Sequence, residues 1–143
     1  MSKKLYQVSL FQFRILLANA QDSHAAKNEP IPTPHKASFQ QIESCLQMPF
    51  QVVFGSVLYR GFVKKAAILF YLLIKNHLLE NGNKRMACLV LSFFCEINDY
   101  NFDIDEDSFY EFSKNVACST DKDECLRLIE SSLRRYLIRK SQS

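Results

Sequence analysis

"HLLENGNKRM", residues 77–86, sets one histidine, two asparagines, a glycine and a Lys–Arg pair between two strongly apolar runs. "KKAAILFYLLIK" (residues 64–75) precedes it and "ACLVLSFFCEI" (residues 87–97) follows it. Both runs are apolar most of the way round a helix, the mark of helices at the centre of a bundle. The pattern predicts one helix over residues 62–76 and a second over residues 83–97. The polar stretch is then the turn between them, with Gly82 free to take positive φ.

Such a turn has a chemistry of its own. The first amide N–H groups of the second helix have no intrahelical partners. A helix start of this kind, with Lys84 and Arg85 in its first turn, is an anion site. Cations there oppose the helix dipole, so placing two of them makes more sense if something negative sits opposite. His77, at the end of the preceding helix, is placed to act as a base over that site. A plain helix cap with a structural histidine accounts for the same residues equally well on physics alone.

Further out, residues 6–21 place Leu10, Phe13, Leu16 and Leu17 on one face of an amphipathic helix. Pro30, Pro32 and Pro34 then forbid a helix in "DSHAAKNEPIPTPHK" and predict an extended loop. His24 and His35 at its edges are given no role. Residues 38–47 read as a short helix with Phe39, Ile42, Cys45 and Leu46 inward and Ser38 as its cap. "MPFQVVFGSVLYRG" (residues 48–61) changes character, with Pro49, β-branched residues and two glycines. It predicts an extended flap or a small hairpin.

Past the second apolar run, "NDYNFDIDED" is a loop, and Asp103 or Asp105 caps a helix over residues 106–117. "STDKDECLRLIESSLRRYLIRK" predicts a last helix started by Ser119 or Thr120, with Leu126, Ile129, Leu133 and Leu137 inward. Arg134, Arg135, Arg139 and Lys140 are then cations at its C-terminus, favourable to the dipole. The whole chain, residues 1–143, reads as a single domain: an all-α, compact bundle of about six helices with a short extended flap before the central pair.

Composition agrees and narrows the function. Of 143 residues 48 % are hydrophobic and 13 % aromatic, too apolar for a disordered chain. Only three glycines argue against a turn-rich β sandwich. The net charge of +3 is spread among acids, without the basic stripe of a nucleic-acid binder. The apolar runs are too short for a membrane span, and "MSKKLYQV" lacks a signal h-region. Five cysteines with no CxxC spacing suit a reducing compartment, so a cytoplasmic setting is expected.

At the turn, "H-x-x-x-N-G-N-K-R-x-A" is similar to the Fic/Doc superfamily signature HxFx(D/E)GNxR. The closing "KRxA" looks like the Doc branch, the death-on-curing toxins. "IKNH" before the motif, Leu89, Phe93 and Phe94 after it, and the approach "IESCLQMPFQVVFG" extend the likeness over roughly residues 38–101. The resemblance implies a small all-α fold and transfer of a phosphate-containing group from a nucleotide to a hydroxyl of a target protein. Carried over by position, His77 resembles the general base, Gly82 and Asn83 the anion-hole loop, and Arg85 the phosphate-binding arginine. Lys84 stands where Fic enzymes have a second glycine and Cys88 where they have a second arginine. Both resemble Doc, in which the terminal phosphoryl group of ATP is transferred rather than AMP. Asn81 replaces the acid that holds Mg²⁺, implying a weak metal position, and Leu79 replaces the packing Phe.

Val52, Val53, Phe54 and Gly55 correspond to the flap that holds the target segment by strand-like pairing. A surface loop packed on the bundle explains them equally well without the resemblance. The implied function is a Doc-like toxin of a toxin–antitoxin pair. It would use ATP and Mg²⁺ to phosphorylate a target such as elongation factor Tu, and a separate antitoxin chain would restrain it. Neither nucleic acid nor membrane is an expected partner. The alternatives are a Fic-type AMP transferase and a catalytically degenerate binding module of the same fold.

Overall fold

The computed structural model describes residues 4–25 and 29–140, apart from the side chains of residues 24 and 25; His24 and part of the proline-bearing loop therefore lie outside the described residues. Six α-helices are described: α1 (Leu10–Ala25), α2 (Lys36–Gln47), α3 (Gly61–Lys75), α4 (Asn83–Ile97), α5 (Glu106–Cys118) and α6 (Lys122–Tyr136). A 3₁₀ turn (Met48–Phe50) and a hairpin of β1 (Val52–Val53) and β2 (Ser56–Val57) lie between α2 and α3. The all-α bundle read from the sequence is the fold of the chain.

The apolar central runs end where they are needed. α3 buries Ala66, Ala67, Ile68, Leu69, Phe70 and Ile74, and α4 buries Met86, Ala87, Val90, Leu91, Phe94 and Cys95. The two pack on each other, with α6 and α2 against α3 and with α1 and α5 against α4. The Phe62 ring stacks on Phe94 at a centroid distance of 5.0 Å and on Tyr100 at 4.5 Å, and so ties the pair to the chain beyond α4.

Several local expectations are corrected. The first helix starts at Leu10, because Ser9 and Gln12 form a reciprocal capping box. The Ser9 hydroxyl accepts from the Gln12 backbone N–H at 3.1 Å, and the Gln12 side-chain amide oxygen accepts from the Ser9 N–H at 2.9 Å. That helix also runs to Ala25, into the segment read as loop. α2 begins at Lys36, with His35 rather than Ser38 at its N-cap. The chain after α4 is not all loop and the tail is not all helix. β3 (Tyr100–Phe102) pairs antiparallel with β4 (Leu137–Arg139), Phe102 opposite Leu137. Arg134 and Arg135 lie in the last turn of α6, whereas Arg139 is in a strand and Lys140 beyond it. α6 is capped by Asp121, not by Ser119 or Thr120. Asp105 caps α5, one of the two acids foreseen there.

α5 runs antiparallel to α4. It starts just after β3, which follows the end of α4. Its own end is held at the end of α3, where the Lys75 ammonium donates to the carbonyls of Ala117, at 3.0 Å, and Ser119. Among the described residues no helix is long and apolar enough to cross a membrane.

Candidate functional site

The turn between α3 and α4 is held by its own side chains. α3 stops at Lys75, with Asn76 as C-cap, and His77 follows outside the helix at φ +47°. This corrects its placement at a helix end. The left-handed conformation is one that a non-glycine residue adopts at some cost, and such strain persists only where surrounding structure enforces it. The histidine is exposed, while Leu79 two residues on is buried at 6 % and anchors the turn to the core. Leucine thus fills the packing place of the motif's phenylalanine.

Asn83 closes the loop from the other side. Its amide nitrogen donates to the Leu79 carbonyl at 2.8 Å, and its amide oxygen accepts from the Leu79 N–H at 3.0 Å. Both ends of one side chain are therefore spent on the loop's backbone. Whatever Asn83 offers an anion comes from its main chain.

Gly82 is the N-cap of α4 at φ +88°, and no described side chain caps the helix. The N–H groups of the first turn stay available. A Cβ on Gly82 would come within 2.8 Å of Ile31 Cγ1 and 3.3 Å of the Arg85 guanidinium, so backbone conformation and crowding both call for glycine. Lys84 has no hydrogen-bond or ion-pair partner among the described residues. Arg85 donates to the Glu29 carbonyl at 2.8 Å and lies 3.9 Å from the Glu29 carboxylate.

Three consecutive residues to which the sequence reading gave no place at the turn therefore touch this site. Glu29 holds Arg85, the Pro30 carbonyl accepts from the Asn81 amide at 3.2 Å, and buried Ile31 packs against Gly82. The prolines signalled an extended strap, but nothing local in the sequence says what an extended segment lies against.

The donor set for a divalent cation is thin. Asn81 turns its amide nitrogen to Pro30, which leaves the amide oxygen free, and Glu80 is exposed beside it. Among the described residues no group of three or more His, Cys, Asp or Glu could hold a metal ion. These oxygens fit a Mg²⁺ that arrives on phosphates and takes one or two protein ligands, not a dedicated ion cage.

The hairpin lies in the chain between the 3₁₀ turn and α3. Val52 pairs with Val57 and Val53 with Ser56, and Phe54 and Gly55 at the tip both have positive φ, as a two-residue turn of this hand demands. Val52, Val53, Phe54 and Gly55 are all exposed, Phe54 completely. The buried Lys65 ammonium donates to the Tyr59 carbonyl and stands 5.4 Å over the Phe50 ring, clamping both ends of the excursion to α3. Burial lowers the pKa of that lysine.

A family model describing the Fic/DOC family matches residues 10–95. The chain belongs to the Fic/DOC family. The match runs from the start of α1 into the last turn of α4, so it takes in the strap, the hairpin and the turn, and reaches further toward the N-terminus than the likeness read from residues 38–101. No curated protein and no solved structure matches the chain. Members of the Fic/DOC family are typically transferases.

Proposed function

We propose that the chain is a Doc-like phosphotransferase, which moves the terminal phosphoryl group of ATP to a hydroxyl of a target protein. One observation carries the reading: among the described residues α4 begins with no capping side chain and Lys84 has no partner, with a reachable Arg85 in the same first turn and the exposed His77 beside it. Helix start and two cations together form a cradle for phosphate oxygens. In the reaction His77 takes the proton of the target hydroxyl. The hydroxyl oxygen forms a bond to the terminal phosphorus, the bond from that phosphorus to the bridging oxygen breaks, and ADP leaves. Most of the catalysis is positioning and charge neutralisation. Mg²⁺ held by Asn81 and the phosphates would supply further neutralisation.

The exposed hairpin, with Val52, Val53, Phe54 and Gly55, suits a target segment added as a strand. By resemblance to the Doc branch, the target is a translation factor such as elongation factor Tu, an antitoxin chain is the restraining partner, and the setting is cytoplasmic. A second reading, a catalytically degenerate binding module, is favoured by Asn81, an amide where the family has a carboxylate.

Incubation with a bacterial lysate and either γ- or α-labelled ATP tests the proposal. Label from the γ position alone is the expected result, and Lys84→Gly should shift it toward α. Label from α alone in the natural chain means nucleotidyl transfer. No label from either, with target binding retained, means a binding module.

A further inference from the structure

The strap that closes on the turn is itself held from behind. Three consecutive strap carbonyls each accept a hydrogen bond. Glu29 accepts from Arg85 at 2.8 Å, Pro30 from Asn81 at 3.2 Å, and Ile31 from the Gln21 side-chain amide at 2.9 Å. The same Gln21 nitrogen donates to the Thr33 hydroxyl at 3.0 Å, so both N–H groups of one amide grip the strap. Gln21 belongs to α1, four residues before its end, and is half-buried. Its bonds go to the strap, and those of the strap go to the turn.

The bonds at the turn are made to main-chain carbonyls, so the path of the strap decides them rather than the side chain at residue 29. The Glu29 carboxylate is 73 % exposed and 3.9 Å from Arg85, an ion pair too screened to fix the arginine. Pro30 and Pro32 lock φ on both sides of Ile31 and bring no N–H, so the strap is stiff but has little ladder of its own. Buried Ile31 against Gly82 sets how closely the strap approaches. Apolar contact is non-directional, however, and does not aim a carbonyl. The planar Gln21 amide, with two donors on one nitrogen, does.

The aim matters at the far end. One guanidinium N–H on the Glu29 carbonyl orients Arg85 and leaves its other donors for phosphate. The Asn81 nitrogen on the Pro30 carbonyl leaves the amide oxygen for a cation. We propose that Gln21 is a positioning residue of the phosphate site: through the strap carbonyls it sets Arg85 and Asn81 for a bound triphosphate. The inference rests on the phosphate-site reading above and deepens it.

Gln21→Met removes both donors and keeps length, neutrality and helix propensity. Calorimetric titration with inorganic triphosphate, without Mg²⁺, reads the Arg85 branch by itself. Affinity should fall about three- to tenfold, the scale of one hydrogen bond lost. The fall should vanish when Arg85 is already alanine, because Gln21 then has nothing left to aim in that branch. Gln21→Asn, whose amide falls one methylene short, should behave alike and serves if Gln21→Met fails to fold, which far-UV circular dichroism checks. An equal loss in both backgrounds would mean that Gln21 only supports the fold, and the proposal is overturned. Unchanged affinity in the Gln21 variants, with Arg85→Ala still weakening triphosphate, overturns it too and leaves the phosphate site standing. If the natural chain binds no triphosphate, the phosphate-site reading falls and this inference with it.

Discussion

α5 and α6 begin as helices built for stability begin; α4 does not. The Asp105 carboxylate accepts from the Ser108 N–H and that of Asp121 from the Glu124 N–H, both at 3.0 Å. Acids fill the first turns that follow: Glu106 and Asp107, then Asp123 and Glu124. α4 has a glycine at its N-cap, no capping side chain among the described residues, and Lys84 and Arg85 where its siblings carry acids. All three helices pack on one core, so the difference is not one of burial. α2 and α3 also lack a capping side chain among the described residues and acids in the first turn, so what sets α4 apart is the adjacent Lys84 and Arg85, whose charges oppose the dipole. The motif turn accepts this because Asn83, Leu79 and the strap at Glu29–Ile31 hold it from other directions.

The most severe way to break the contrast is to remove the group that makes the α4 start reactive. His77→Ala should lower phosphoryl transfer by about two to four orders of magnitude, the range for general acid–base groups. The melting temperature should hardly move, because the histidine is exposed. Unimpaired transfer by a folded variant would mean that some other residue is the base.

Making α4 resemble its siblings should separate function from stability. Lys84→Glu is expected to weaken ATP by about 2 kcal/mol or more, since a charge-assisted contact to phosphate is replaced by repulsion. The same change should stabilise the fold by about 0.3–1 kcal/mol, because an acid now faces the helix dipole. Chemical denaturation and nucleotide titration of one protein measure both. A lower denaturation midpoint would show that Lys84 has a structural partner and that the α4 start is not held open for a ligand.

A smaller effect is expected at Asn81. Asn81→Asp adds a charged oxygen ligand and should lower the Mg²⁺ concentration for half-maximal transfer several-fold. An unchanged midpoint with robust activity in both forms would remove Asn81 from the metal position.

The smallest effect tests the other side of the comparison. Bonds from Ser108 hold the Asp105 carboxyl below its ordinary value of 3.8. A carboxylate with a depressed folded pKa adds stability that is present above the unfolded pKa and is lost as pH falls through the folded one. Asp105→Asn can still cap but cannot titrate. Its stability should therefore fall less steeply than that of the natural chain as pH drops below about 4. Parallel acid-unfolding curves would show that the cap makes no pH-dependent contribution.

The bounds of α4, the apolar faces of α3 and α4, and the residue types of the turn were legible because each depends on neighbours within a few positions. The capping box at Ser9 and Gln12 was equally local and simply went unread. Leu137 was misread for a different reason. It continues the helical apolar spacing of Ile129 and Leu133, but pairing with Phe102 draws the chain into a strand, and nothing near Leu137 announces a partner thirty-five positions away. Periodicity places His77 at the end of the helix over residues 62–76, because it cannot register the change in the sign of φ that puts the residue outside.

The residues alone specify an all-α bundle with a cationic helix start between its two most apolar segments, and leave open whether that start is capped. Only the tertiary structure decided that Glu29, Pro30 and Ile31 close on that start, that Gln21 of α1 holds them there, and that β3 and β4 pair. The physical reason is the same in each case. Helical periodicity and capping are written in short spans of side chains, whereas the strap and the strand pair are joined largely through backbone carbonyls and amides, which are alike at every position until the chain has closed around them.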